Sequence, residues 1–255
     1  GPPMTAEDLR YILSMSFPLV FIAFSAGALF LYLERDRVPE DFRLAMRVSV
    51  VYLAIAAVNY AYMTDIFRSG EDAAFPTEFR YIDWILTTPL MLLKFPLVIG
   101  VGRDGIRFMV KLVLLILTCI ITGFIGETHP HHAATHYGFF LIGCVAWFAI
   151  ITMLFNALTQ LPEEIEQSTR HGVRRMSLFI LIGWAIYPVG YLAPLLEVPA
   201  DVRELVYNFG DLVNKIGLCL VVYATAKLTG LERLEEEEAY FEPHGEPMGM
   251  PQPAE

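Results

Sequence analysis

Charge is scarce in this chain. Only 18% of its 255 residues are Asp, Glu, Lys or Arg, and 55% are apolar. A soluble domain carries about 25% charged residues, so a disordered chain and an ordinary water-soluble enzyme are both excluded. Basic residues are the scarcer sign, 18 against 28 acidic, for a net charge of -10. That balance argues against a nucleic-acid partner. Cysteine is nearly absent. Cys119, Cys144 and Cys219 each stand alone in an apolar run, without disulfide or metal-ligand spacing. They read as small buried hydrophobes. No internal repeat is visible.

Long apolar runs are what the chain has instead. Seven segments, at about 10–33, 44–67, 78–100, 107–126, 136–158, 174–196 and 202–229, reach the roughly 20 residues that a membrane helix needs. The expected fold class is an all-α membrane protein, a seven-transmembrane-helix bundle. Short connections with turn chemistry join the spans, such as Gly102-Arg103-Asp104-Gly105 and Leu161-Pro162-Glu163-Glu164. Residues 1–7 read as a protease-cleavage remnant, Gly1-Pro2-Pro3, with an N-terminal segment. Residues 8–230 form the helical domain. Residues 231–255, with the run Glu235 to Glu238, read as an acidic, disordered tail.

Loop charge predicts the orientation. Arg35, Arg37, Arg43, Arg47, Arg103, Arg107, Lys111, Arg170, Arg174, Arg175, Lys227 and Arg233 fall on one side. Arg10, Arg68 and Arg203 fall on the other. The basic side faces the cytoplasm. The chain is then a multi-pass protein of the cell membrane, N-terminus outside and C-terminus cytoplasmic.

Five ionisable residues lie where lipid should be. The third span holds Arg80, Asp83 and Lys94, and the seventh holds Asp211 and Lys215. Each costs about 2.5–3.5 kcal/mol at a helix centre. Asp83 and Thr87 sit one turn apart on one face. Lys94 returns to nearly that face about 16 Å further along the axis. Asp211 and Lys215 are again four apart. Such a file of titratable groups suits a proton relay. The plainer alternative is a set of interhelical salt bridges that only fix packing.

Three runs carry a resemblance. They are Arg80-Tyr81-Ile82-Asp83-Trp84 continuing to Thr87-Thr88-Pro89-Leu90, Gly183-Trp184-Ala185-Ile186-Tyr187-Pro188-Val189-Gly190-Tyr191, and Tyr207-Asn208-Phe209-Gly210-Asp211-Leu212-Val213-Asn214-Lys215. In this order they resemble the microbial rhodopsins, in the proteorhodopsin and xanthorhodopsin branch. The resemblance covers about residues 8–230. It implies all-trans retinal bound to Lys215 as a Schiff base. It implies a pocket of Trp84, Thr88, Met91, Trp184, Tyr187, Pro188 and Tyr191, with Met91 at the tuning position where an apolar residue goes with green absorption. It also implies Asp83 as counterion and proton acceptor, with Asp211 as second counterion. On periodicity alone those aromatics would be ordinary core. Asp83, Thr87 and Lys94 do not match the family's sodium-pump pattern of Asn, Asp and Gln, and chloride pumps lack the acceptor carboxylate.

Two positions depart from the branch. Lys94 stands where most proton pumps have a carboxylate donor. Within Lys94-Phe95-Pro96-Leu97 the chain resembles a lysine-donor subgroup of proton pumps. A lysine in apolar surroundings can rest neutral and pass on a proton taken from the cytoplasm. The alternative is an inert lysine snorkelling to the interface. Asn59 stands where the branch has a histidine that tunes the acceptor. Asparagine can hydrogen-bond Asp83 but cannot titrate. Thr87 is expected to hydrogen-bond Asp83, and Arg80 to bias release outward. Glu127 and Glu204 are candidate release-path carboxylates. His129, His131, His132 and His136 read as a solvated loop with no metal. Phe140 argues against an antenna carotenoid.

The sequence therefore leads to a light-driven outward proton pump, which is not an enzyme. Its expected partners are the transported proton, the lipid bilayer and further copies of the chain in a homo-oligomer. The alternatives are a sensory photoreceptor signalling to a transducer, and a retinal-free transporter in which Lys215 is only an ion-pair lysine.

Overall fold

A computed structural model of the chain describes residues 5–70, 75–100 and 103–241. The helices are α1 (Ala6–Glu34), α2 (Glu40–Ser69), α3 (Glu78–Ile99), α4 (Arg103–Glu127), α5 (Ala133–Thr159), α6 (Gln167–Leu178), α7 (Ile186–Leu192) and α8 (Ala200–Phe241). Among the described residues, seven spans are long and apolar enough to cross a membrane, the sixth running from Gln167 to Leu196 through α6 and α7. Successive helices pack side by side, and α8 closes the ring against α1 and α6.

Local chemistry sets the ends. The Thr5 hydroxyl accepts from Asp8 N at 3.1 Å and the Asp8 carboxylate from Thr5 N at 2.9 Å, a capping box that starts α1 ahead of the expected span. Pro39 leads into α2, and Gly100 ends α3 at φ 100°, where a side chain would be strained. α8 continues to Phe241, so the first part of the expected acidic tail is helical. Two contacts hold it. Glu232 accepts the backbone N–H groups of Gln167 and Ser168 that open α6, and Arg233 pairs with Asp41 and Glu166. Residues 242–255 lie outside the described residues.

The bundle is arranged inside out relative to a water-soluble protein. Leu19, Ile22, Val58, Val145, Phe148, Ile182 and Phe209 face outward, while Arg80, Lys94 and Lys215 are among the largest fully buried side chains. An apolar exterior around a polar interior is what a lipid environment selects.

The sixth span breaks at its middle. Phe179–Gly183 form a π-turn in which Trp184 N bonds Phe179 O at 3.3 Å, one residue further back than in an α-helix. Ile180 O thereby loses its helical partner and accepts from the Trp147 indole at 3.1 Å. Tyr187 N turns to Trp184 O, and Gly183 O accepts instead from the Asn214 amide at 2.9 Å.

α7 and α8 meet closely at Gly190, where a Cβ would run into the Tyr207 ring. That ring is buried and packs edge-on against Trp84 at 5.5 Å. Gly190→Ala should destabilise the folded protein by about 1–3 kcal/mol, the usual cost of overpacking. Gly138→Ala on α5, where an added Cβ meets nothing within 4 Å, is the control. Thermal unfolding of both variants in detergent checks this. Equal midpoints would contradict the close approach.

Candidate functional site

α3 and α8 bring three charges together at the centre. Lys215 Nζ lies 2.9 Å from Asp83 Oδ2 and 3.2 Å from Asp211 Oδ1, and all three side chains are at most 2% exposed. The two carboxylates are held differently. Asp211 accepts from Tyr60 OH at 2.7 Å, Tyr187 OH at 2.7 Å and Trp84 Nε1 at 3.1 Å. Asp83 Oδ1 is buried without a hydrogen-bond partner. Three protein donors thus reach Asp211, whereas among the described residues none reaches Asp83 Oδ1.

Beside the amine opens an almost wholly apolar cavity with about 820 Å³ of non-atom space, part of it open to the outside. Trp84, Thr88, Met91, Trp184, Tyr187, Pro188, Tyr191 and Lys215 all line it, so the expected pocket residues do come together. Trp147, Gly143, Cys119 and Cys144 line it too, and sequence reasoning missed them. Cys119 and Cys144 are cavity walls, and Phe140 also sits there, stacked on Tyr191 at 4.9 Å. The arrangement can hold a long apolar molecule with one end at a primary amine.

On one side of the triad the polar groups are continuous. Arg80, fully buried, donates to Glu204 Oε2 at 2.7 Å, Asn208 Oδ1 at 2.7 Å and Tyr60 OH at 3.2 Å. Glu204, also fully buried, accepts from Thr77 at 2.8 Å and Arg203 at 3.2 Å. Arg203 reaches Glu127 at 3.7 Å, and Tyr81 OH donates to Glu127 at 2.6 Å. Both candidate release-path carboxylates thus join one cluster with Arg80.

On the other side lies Lys94, fully buried, donating to Tyr52 OH at 2.7 Å. It does not snorkel. The Cys219 thiol contacts the same hydroxyl at 2.6 Å and so is more than a small hydrophobe. Two other expectations change in detail. Asn59 donates to Phe79 O at 3.5 Å rather than to Asp83, because its position on α2 faces the outer turn of α3. The Thr87 hydroxyl bonds the backbone carbonyl of Asp83 at 2.9 Å, the usual return bond to residue i−4. His136 belongs to α5, with Nδ1 2.9 Å from Gly126 O and its ring stacked on Tyr191. Its neighbours His129, His131 and His132 lie at the α4–α5 turn, where the solvated loop was expected.

A seven-helix bundle with a buried lysine between two aspartates, opening on an aromatic cavity, defines a class of membrane protein with room for an apolar ligand beside a central amine. The chain matches the bacteriorhodopsin-like protein family over residues 12–228 and belongs to it. It is 33% identical over 231 residues to the green-light absorbing proteorhodopsin of Gamma-proteobacterium EBAC31A08, covering 89% of this chain and 90% of that protein. It is 30% identical over 192 residues to sensory rhodopsin-2 of Haloarcula vallismortis, covering 72% and 78%. Among solved structures, Exiguobacterium sibiricum rhodopsin superposes with a TM-score of 0.79 at 38% identity, covering 86% of this chain and 97% of that one.

The Arg80–Glu204 pair generates a prediction. Removing one partner of a fully buried ion pair leaves an uncompensated charge and costs about 3–5 kcal/mol. Glu204→Leu should lower unfolding stability by that order. Glu127→Leu should cost less, because its side chain, 12% exposed, is less deeply buried than that of Glu204. Thermal unfolding decides, and a larger loss for Glu127→Leu would contradict the assignment.

Proposed function

We propose that the protein is a light-driven outward proton pump. The observation that carries the reading is the Lys215 amine held between Asp83, whose Oδ1 has no hydrogen-bond partner among the described residues, and a fully bonded Asp211, beside the apolar cavity. The cavity residues fit retinal, with Lys215 as the point of attachment. The unpartnered Oδ1 of Asp83 fits a counterion that takes up a proton. Retinal bound there would supply the light-driven change of shape and charge at the Lys215 nitrogen.

The chain's own residues then divide the work. Trp84, Trp184, Tyr187, Pro188 and Tyr191 shape and dry the cavity. Asp83 accepts the proton from Nζ of Lys215, and Asp211 stays as the fixed counter-charge. Arg80 with Glu204 and Glu127 draws the released proton toward the end of the bundle where α1 begins. Lys94 returns a proton to Nζ of Lys215 from the opposite end. The basic loops lie at that opposite end, which supports a cytoplasmic uptake side, an outward-facing N-terminus and net transport out of the cell. Asn59, bonded to α3 backbone, tunes the acceptor only through packing. The isomer would be all-trans, the pigment green, and the working form a homo-oligomer in the membrane.

Illumination of unbuffered whole cells with a pH electrode tests the reading. Acidification outside, abolished by a protonophore, is expected. The likeness to a sensory rhodopsin supports a second reading as a light sensor, and cells that stay silent under light would favour it.

Residue roles give three predictions. Lys215→Ala should leave no visible band after retinal is added. Asp83→Asn should shift the band red, because the cation loses its nearest counter-charge, and should stop pumping. A normal band in the first variant, or transport in the second, would overturn the assignment. Lys94→Ala should keep the colour, since the amine is remote from the cavity. It should slow return of the proton to the Lys215 nitrogen, more so as pH rises, because protons must then come from bulk water. Flash photolysis across pH measures this, and a wild-type rate with wild-type pH dependence would remove the donor role.

A further inference from the structure

The Tyr52 hydroxyl on α2 is the junction between Lys94 and the residue at the centre of the bundle. It accepts from Lys94 Nζ at 2.7 Å, donates to the backbone carbonyl of Lys215 at 3.0 Å, and touches Cys219 Sγ at 2.6 Å. Tyr52, Lys94 and Cys219 are each at most 1% exposed. The titratable groups facing the Lys94 amine are Tyr52 from α2 and Cys219 from α8. Among the described residues no carboxylate forms an ion pair with it.

A tyrosine hydroxyl has one proton to give and two lone pairs to receive with. Its proton has three destinations within reach, the Lys215 carbonyl, the Lys94 nitrogen and the weaker acceptor Cys219 Sγ. An ammonium has no lone pair. While Lys94 is charged, it can only donate to Tyr52, and the Tyr52 proton points to the Lys215 carbonyl, the stronger of the two remaining acceptors. Once Lys94 is neutral, its nitrogen gains a lone pair and can accept that proton as a hydrogen bond, freeing the carbonyl. The Cys219 thiol can donate to a lone pair of the hydroxyl in either state. No covalent bond forms or breaks, and only the hydroxyl rotates.

We propose that Tyr52 is a positioning residue that holds the Lys94 amine and, through the rotation of its hydroxyl, couples the charge of Lys94 to a hydrogen bond on the backbone of Lys215. The proposal rests on the reading of Lys94 as proton donor. It goes further by naming the group through which the donor and the chromophore-bearing residue sense each other. A tyrosine whose only role was to fill space would have no need of a hydroxyl at a site with this little polar company.

Two measurements test it on the full chain. The first needs no light. Infrared spectra of dark protein with ring-labelled tyrosine, compared with Tyr52→Phe, identify the Tyr52 C–O band. That band is expected to shift as pH is taken through the titration of Lys94, and to stop shifting in Lys94→Met. A band indifferent to Lys94→Met overturns the coupling. Cys219→Ala, which removes one hydrogen-bond partner from the same hydroxyl and leaves Lys94 in place, should also move the band, and it serves as the second variant if Tyr52→Phe does not fold.

The second measurement is a double-mutant cycle on proton return to the Lys215 nitrogen. Tyr52→Phe should slow that step about tenfold, the scale of one hydrogen bond to a charged group. In a Lys94→Ala background the same change should add less than about twofold, because the partner is already gone. Equal slowing in both backgrounds would make Tyr52 a packing residue and overturn the proposal. A wild-type rate in Tyr52→Phe beside a slow Lys94→Ala would overturn it while leaving the donor reading intact. A wild-type rate in Lys94→Ala would remove the donor reading itself, and the infrared shift would then decide the hydrogen bond alone.

Discussion

Two carboxylates share one buried amine, and the rest of the structure depends on that constraint. Neither aspartate nor the lysine could stay charged in this interior alone, since an intramembrane charge costs several kcal/mol without a partner. Their mutual distances, 2.9 and 3.2 Å, therefore fix the register of α3 against α8. Two acids around one base leave a surplus negative charge when all three are ionised. The surroundings answer it on one side only, with two hydroxyls and an indole aimed at Asp211. That inequality turns a symmetric ion cluster into a directional one.

The two ends of the polar file differ in the same sense. Toward the end where α1 begins, Tyr60 bridges Asp211 to Arg80, and Arg80 hands on to Glu204, Arg203 and Glu127. Charges of alternating sign stand close enough there for a proton to have many neighbouring sites. Toward the other end, Lys94 meets a single tyrosine hydroxyl among apolar side chains. The polar groups are therefore dense toward one end of the bundle and sparse toward the other.

Much of this was legible in the sequence, for identifiable reasons. Span length and apolarity report membrane helices directly, and charges inside them stand out because lipid makes them costly. The motifs around Asp83, Trp184 and Lys215 carried the pocket. What escaped were pairings across long sequence separations. Glu204 is 124 residues from Arg80, and no local pattern announces their bond. Tyr52 lies in an apolar run where a tyrosine reads as core, and Cys219 looks equally inert. The only hint was that Tyr52 lies seven residues before Asn59 and eight before Tyr60, two turns away on one face of α2. The helical start of the acidic tail was hidden because its anchors, Asp41, Glu166 and the first turn of α6, lie on other helices.

The break in the sixth span shows how cavity and backbone are tied together. A π-turn frees carbonyls that an α-helix would satisfy, and in apolar surroundings a freed carbonyl must find another donor. Both donors here belong to the site. Trp147, a cavity wall, takes Ile180 O, and Asn214, next to Lys215 in the chain, takes Gly183 O. If the helix closed into regular α-geometry, Trp184 N would reclaim Ile180 O and displace the Trp147 indole. Tyr187 N would likewise reclaim Gly183 O and release Asn214. Any motion that regularises or deepens the break must therefore rearrange one wall of the cavity and the chain neighbour of Lys215 together. Cavity wall and sixth-span backbone are thus tied by two hydrogen bonds, one from an indole that no motif singled out and one from an amide inside the run that ends at Lys215.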